Sequence, residues 1–256
     1  MLPPYLFALI AETTLVTNAD LYVMARAIEA GTQDCARAWG KKAPAVDVFE
    51  ARMGLPQFCQ PVVFLDDTSD PGALAVHYWD PVRLQPAARV WSSRSSSLFD
   101  GSGAQSVAAS HEVLEALGDP SCEADCPCPG RPGVRLALEL CDPVQDELVV
   151  RMSNGPVAVA NYVLPAYFDE ELADPEMAKI FLEGGGRFDA KGTLTRAGQI
   201  GPRGYAILSD DSRTWFEGPD GELKFSEDSA KLHPWARTER RRKHLEMARR
   251  KVTADG

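Results

Sequence analysis

His111, Glu112 and Glu115 place one imidazole and two carboxylates within five residues. The surrounding pattern predicts a helix that ends at Gly118, because an Asp-Pro pair follows. His111, Glu115 and Asp119 recur at steps of four and therefore share one side of that helix. A histidine and a carboxylate one turn apart can bind one metal ion, and Glu112 can hold a water beside it.

The opposite side of this helix carries Ala109, Val113, Ala116 and Leu117, which predict a core face. The acidic side has no Lys or Arg, although like charges one turn apart destabilise a helix by a few tenths of a kcal/mol. A bound metal ion would offset that repulsion. The alternative is an ordinary solvated helix face, where a histidine among carboxylates binds nothing.

The motif resembles the H-E-x-x-H helix of the zincin metallopeptidases, with Glu115 in place of the second histidine. Gly118 stands where the metzincin group keeps a turn glycine, and Ser121 stands at that group's third histidine. The resemblance implies a zincin-like fold, a zinc ion and a peptide or protein substrate. It also implies that Glu112 is the catalytic base and that His111 binds the metal.

The chain is also similar, over about residues 5 to 208, to a set of uncharacterised bacterial and phage proteins. The shared segments are Ser110-His111-Glu112, Glu115, Asp119-Pro120, Glu139 to Asp142 and Asn161 to Pro165. Glu139 or Asp142 is predicted to be the third protein ligand of the metal. Asp119 is a rival ligand, although an Asp before Pro more often caps a helix or forms a turn. Such oxygen-rich ligation also suits calcium or manganese.

The composition is that of a globular protein, with 256 residues, 45% of them apolar. The formal charge of −10 does not favour nucleic-acid binding by the chain as a whole. The N-terminus lacks the basic leader of a secretory signal, and no segment is long and apolar enough to span a membrane. We therefore expect a cytoplasmic protein with no membrane contact.

Cys122, Cys126 and Cys128 cluster directly after the predicted metal-binding helix. In a reducing compartment such a cluster can form a small zinc knot. The spacing is not a standard C-x-x-C pair, so free thiols, or disulfides in an exported protein, remain alternatives.

The order of elements predicts an α/β (α+β) fold, a zincin-like mixed sheet with an active-site helix. Strands are predicted over 5–16, 45–50, 61–65, 73–79, 87–91 and 134–141, with a hairpin around 153–155. Helices are predicted from a cap at Asn18 or Asp20 to about Trp39, and over 174–182. The segment with His77 is expected to be the edge strand of the sheet, to which a peptide substrate pairs as an additional strand. His77 itself is expected to be a strand side chain rather than a metal ligand.

This pattern predicts three regions: a metal-binding domain over 1–183, an irregular extension over 184–233 and a basic helical tail over 234–256. The extension is expected to contain a small hairpin around 214–225. The tail contains Arg240, Arg241, Arg242, Lys243, Arg249, Arg250 and Lys251. It can contact nucleic acid, a partner protein or the acidic body of this protein, or remain solvated.

The sequence thus favours a metal-dependent hydrolase, a zincin-like peptidase that uses a metal-activated water. The alternative is a non-catalytic binding or assembly module, of a phage-associated kind, that a metal ion stabilises.

Overall fold

The computed structural model describes residues 6–66, 74–80, 83, 85–212 and 214–222. Within these ranges the chain combines helices with a mixed parallel and antiparallel sheet, which confirms the predicted α+β class. The α-helices are α1 (Asn18–Ala38), α2 (Gln105–Gly118) and α3 (Pro175–Glu183). None of these described helices has both the length and the apolar character needed to cross a bilayer. The basic tail lies outside the described residues.

The largest sheet has five strands in the order β2-β1-β3-β5-β4. Their bounds are β1 (Leu6–Glu12), β2 (Ala45–Val48), β3 (Cys59–Leu65), β4 (Ala75–Asp80) and β5 (Gln85–Trp91). Helix α1 joins β1 to β2 as the crossover that parallel pairing requires. Strand β4 alone runs antiparallel to its neighbour, β5. The strand with His77 therefore lies at the edge of the sheet, as predicted.

Helix α2 lies between two hydrophobic clusters, so its surface is almost completely buried. The four residues of the predicted core face are all buried, and Val113 packs against the main sheet. Leu114 and Leu117 join a second cluster that includes Leu140. Every residue of α2 except His111 is buried. The acidic side of the helix is thus enclosed by protein as well, which a solvated surface helix would not be.

The ends of the two long helices are fixed by specific hydrogen bonds. Thr17, rather than Asn18 or Asp20, caps α1: its hydroxyl accepts from the N–H of Asp20, whose carboxylate accepts from the N–H of Thr17. At the C-terminus of α2, the Lys41 ammonium donates to the carbonyls of Leu117 and Gly118 at 2.7 and 2.6 Å. This cation satisfies carbonyls that the helix itself leaves unpaired.

The second half of the chain forms a smaller sheet in the order β11-β10-β7-β6 and a separate hairpin of β8 and β9. Their bounds are β6 (Asp125–Pro127), β7 (Arg135–Ala137), β8 (Leu148–Ser153), β9 (Gly155–Ala160), β10 (Ala206–Ser209) and β11 (Thr214–Glu217). The β8–β9 hairpin confirms the turn predicted at 153–155. The hairpin predicted over 214–225 stays a prediction, because 223–225 lie outside the described residues. Its first arm, β11, pairs with β10 on the other side of a turn that includes 210–212.

The predicted length of the strand over 134–141 was wrong. The strand ends at Ala137, and the chain then leaves the sheet, with the carbonyl of Leu140 accepting from the N–H of Val163 at 2.8 Å. Glu139 therefore lies on a connecting segment rather than on a strand. Residues of the predicted extension, such as Phe188 and Leu194, share a hydrophobic cluster with Leu140. The division of the chain at residue 184 stays a prediction.

Gly118→Ala should destabilise the protein, because a Cβ at Gly118 would lie 2.6 Å from Cγ of Leu140. Overpacking of this kind costs about 1–3 kcal/mol. Gly31→Ala in α1 is the matched control, since its Cβ would meet only Val159 Cγ2 at 3.8 Å and Ala favours a helix by about 0.5–1 kcal/mol. Urea unfolding of both variants measures the difference. Equal stability of the two would contradict the packing described.

Candidate metal centre

Three segments that are distant in sequence meet in one cluster of ionisable side chains. Strand β4 contributes His77, helix α2 contributes His111, Glu112 and Glu115, and the segment after β7 contributes Glu139, Cys141 and Asp142. The four carboxylates are each at most 5% exposed, and His77 is 6% exposed. Acidic side chains are almost never buried to this extent unless they are paired or bind a metal.

Glu115 occupies the centre of the cluster. Its Oε1 lies 3.0 Å from Nε2 of His111, and its Oε2 lies 3.0 Å from Nδ1 of His77. Asp142 Oδ1 lies 3.1 Å from the same nitrogen of His111, and Glu112 Oε2 lies 3.1 Å from Nδ1 of His77. One carboxylate is thus held between two imidazole rings, and each ring has a second carboxylate beside it.

Two overlapping sets of side chains are compact enough to bind an ion, with all ligand atoms of a set within 4.8 Å of one another. One set is His111, Glu115 and Cys141, and the other is His77, Glu115 and Glu139. The structure therefore brings His111 and Glu115 together as predicted. Of the two candidates for the third ligand, Asp142 contacts His111 and Glu139 belongs to the second set.

Two buried atoms in this cluster have no hydrogen-bond partner among the described residues. Among the described residues Glu115 Oε1 makes no hydrogen bond, although Nε2 of His111 lies only 3.0 Å away. His77 Nε2 likewise makes none within that part of the chain. Buried polar atoms are normally hydrogen-bonded, so two such atoms without a partner, beside several buried carboxylates, are a place where a cation would fit. The residues present fit a divalent metal ion.

The crowding of charge changes the pKa values of the cluster. Burial alone would lower the pKa of His111, but Glu115 and Asp142 raise it well above its ordinary value. Burial would raise the pKa of Glu115, but His111 and His77 hold it well below its ordinary value. Burial, followed by the charge of Glu115, raises the pKa of Asp142 to about 8. Without a metal, protons on the rings and on Asp142 compensate the buried negative charge.

No Lys or Arg takes the place of a metal beside the three carboxylates that contact histidine most closely. Within the described residues, the ion pairs of Glu112, Glu115 and Asp142 are all with His77 or His111. In the described part of the chain, these three acidic side chains are neither dispersed into solvent nor paired with arginine. Either arrangement would have removed the case for a metal.

Asp119, the rival third ligand, has a role in the turn after α2. Its Oδ2 accepts from the N–H of Ala124 at 2.7 Å, and its Oδ1 accepts from the Ser121 hydroxyl at 2.9 Å. In the part of the chain that is described, Asp119 belongs to neither set of ligand atoms. Its carboxylate shapes the loop that follows the helix.

The three clustered thiols are not assembled into a zinc knot. None of them belongs to a metal-ligand set in the described ranges. The thiol of Cys126 lies 3.6 Å from the carbonyl of Leu136, and Cys128 is buried in a hydrophobic cluster. Cys122 lies beside His77. Burial would lower the pKa of that ring, but Cys122, Glu112 and Glu115 raise it well above its ordinary value.

Sequence reasoning missed three residues of the site. His77 was predicted to be a strand side chain and not a ligand, yet its ring lies beside Glu112 and Glu115 of α2. Cys141 and Tyr205 were given no role in the site. Burial first, and then the charge of Asp142, which its hydroxyl hydrogen-bonds, raise the pKa of Tyr205 well above its ordinary value. The predicted edge strand was the one signal that could have found His77.

Ser110 fixes the position of His111 by joining α2 to β9. Its hydroxyl donates to the carbonyl of Val107 at 2.9 Å and accepts from the N–H of Ala160 at 2.8 Å. Both hydrogen bonds are buried, so water cannot replace them.

Ser110→Ala should lower the free energy of unfolding by about 1–3 kcal/mol, because the N–H of Ala160 is left buried without an acceptor. Ser93→Ala is the control: its hydroxyl donates to the carbonyl of Asp66 on the exposed surface, and we expect a change below about 0.5 kcal/mol. Chemical denaturation measures both. A Ser110 variant as stable as the control would show that this anchor is dispensable.

Comparisons of the chain with protein-family models, with curated proteins and with solved structures found no match. The function of the cluster is therefore argued from its own geometry and chemistry.

Proposed function

We propose that the protein is a metal-dependent hydrolase, a zincin-like peptidase that acts on peptide or protein substrates in the cytoplasm. The observation that supports this most is the convergence of His111, Glu115 and Cys141, which place one possible ligand atom each within 4.8 Å of the others. The position of His111 and Glu115 on one face of α2, with Glu112 beside them, agrees with the resemblance to the H-E-x-x-H helix.

His111 and Glu115 would hold the ion, and Asp142 or Glu139 would complete the set. When bound, a divalent metal supplies Lewis acidity, which polarises a carbonyl group and lowers the pKa of a coordinated water toward neutrality. Zinc is the metal we favour, because the cluster offers imidazole and thiol groups beside its carboxylates. Calcium or manganese is the alternative if oxygen ligands dominate.

Glu112 is the proposed general base. Its Oε2 is oriented by the hydrogen bond with Nδ1 of His77 at 3.1 Å, and it follows His111 directly in sequence. The carboxylate would take a proton from the attacking water as the new C–O bond forms. It would then give that proton to the leaving nitrogen as the C–N bond breaks.

Strand β4 is the proposed docking edge for the substrate. It is the last strand in the order of the main sheet, and it carries His77 against α2. An extended peptide that paired with this edge would lie beside the cluster, held by backbone hydrogen bonds.

The anionic ligand Glu115 donates more charge to an ion than a second imidazole would. The ion would then be less electrophilic, so we expect slow turnover.

Protein purified without added metal should contain close to stoichiometric zinc, and Glu112→Gln should reduce cleavage of a generic peptide library by about 10²–10⁴-fold. The metal content of this variant should be unchanged, since Glu112 acts on the proton and not on the ion. Elemental analysis and a mass-spectrometric cleavage assay measure the two effects. Glu176→Gln, on the exposed surface of α3, is the matched control. Cleavage that survives Glu112→Gln would contradict the proposed base.

The burial of the cluster supports a second proposal, a non-catalytic binding or assembly module of a phage-associated kind that keeps the ion for stability. Among Asp142 and the five residues of the two ligand sets, His111 is the most exposed, with 17% of its side chain accessible; the others are at most 7% exposed. A site closed to this degree suits a structural ion.

For such a module, chelation should lower the melting temperature by roughly 5–10 °C, the change expected for losing a ligand present at about a hundred times its Kd. No peptide should be cleaved in the metal-loaded state. Calorimetry with and without chelator, followed by restoration with zinc, measures this. A melting temperature indifferent to chelator would reject both the module and the hydrolase.

A further inference from the structure

We infer that the cluster binds two metal ions, with Glu115 as the carboxylate that bridges them. This inference rests on the proposal that the cluster binds metal at all, and it changes that proposal from a mononuclear to a dinuclear site. Two-metal sites are a recurring solution in hydrolases, where one ion can orient the nucleophile while the other stabilises the leaving group.

The two oxygens of Glu115 face different histidines. Oε1 lies 3.0 Å from Nε2 of His111, and Oε2 lies 3.0 Å from the ring of His77. The two compact sets of ligand atoms share this residue and no other. A carboxylate that belongs to both ligand sets and places its two oxygens beside different imidazoles is positioned to be a bridge.

The first half of the site consists of His111, Glu115 and Cys141. Asp142 lies beside it, with Oδ1 3.1 Å from His111 Nε2. Imidazole nitrogen, thiolate and carboxylate are together a typical ligand combination for zinc. The thiol of Cys141 is buried and donates to the carbonyl of His111 at 3.8 Å, so an ion bound there would displace its proton.

The second half consists of His77, Glu115 and Glu139, all buried. Nδ1 of His77 lies 3.1 Å from Glu112 Oε2, and donation of the Nδ1 proton leaves a lone pair on Nε2. That nitrogen makes no hydrogen bond among the described residues and lies 3.7 Å from Glu139 Oε2. Histidines that bind metal usually donate their other ring N–H to a carboxylate in this way.

The charge of the cluster favours two dications over one. Glu112, Glu115 and Asp142 are buried, and among the described residues their ion pairs are all with His77 or His111. A single ion at His111 would leave Glu112 facing His77 alone. A second ion would restore the positive charge on that side.

The test is the stoichiometry of the full-length protein titrated with Co²⁺ alone after chelation and buffer exchange. We expect two ions per chain by elemental analysis. Cys141→Ser should reduce this to one and abolish the thiolate-to-cobalt absorption, whereas Cys126→Ser, a half-buried thiol outside both sets, should change neither. His77→Asn should also bind one ion but keep that absorption, and Glu115→Gln should weaken both sites at least tenfold.

Loading the protein with Mn²⁺ gives a second readout that needs no variant. Two ions bridged by one carboxylate should give an exchange-coupled electron paramagnetic resonance spectrum, which two distant ions would not. One ion per chain in the unmodified protein, with an uncoupled spectrum, would overturn the dinuclear site and leave the proposed hydrolase standing. No bound ion would overturn both.

Discussion

The cluster depends on the burial of one carboxylate, that of Glu115, between the rings of His111 and His77. An isolated buried carboxylate costs several kcal/mol, so this one is tolerable only while positive charge lies on both sides. Each ring provides that charge at 3.0 Å when protonated. A metal ion bound to these rings would provide it at every pH where the rings are neutral. The rest of the structure serves to keep these three side chains in place.

The surroundings of α2 explain how the arrangement stays rigid. The helix is enclosed by two hydrophobic clusters, and Ser110 ties its centre to β9 through buried hydrogen bonds. Lys41 binds the carbonyls at its C-terminus, where Gly118 allows Leu140 to pack closely. Leu140 belongs to the segment that carries Glu139 and Asp142. Packing of the helix end therefore sets the distance between the helical ligands and those that follow β7.

Local patterns predicted local structure well. The Asp-Pro stop gave the end of α2 at Gly118, and the turn residues at 153–155 gave the β8–β9 hairpin. The extent of the strand near Glu139 was not predictable, because an apolar run cannot reveal where a chain leaves its sheet. The contact of His77 with Glu115 was also beyond local reasoning, since it depends on the order of strands in the main sheet. The part of the candidate site on one helix was thus predictable, and the part contributed by other elements was not.

The helix departs from the H-E-x-x-H motif at the position of its second histidine. With Glu115 in the second position, the helix alone offers a single imidazole, which taken by itself is a poor set for an efficient peptidase. The fold supplies the second imidazole from another element, because β4 brings His77 to within 3.0 Å of Glu115. The ligand chemistry lost from the helix is therefore regained in space. A motif judged by sequence alone underestimates such a site, because coordination depends on which atoms converge and not on which residues are neighbours in the chain.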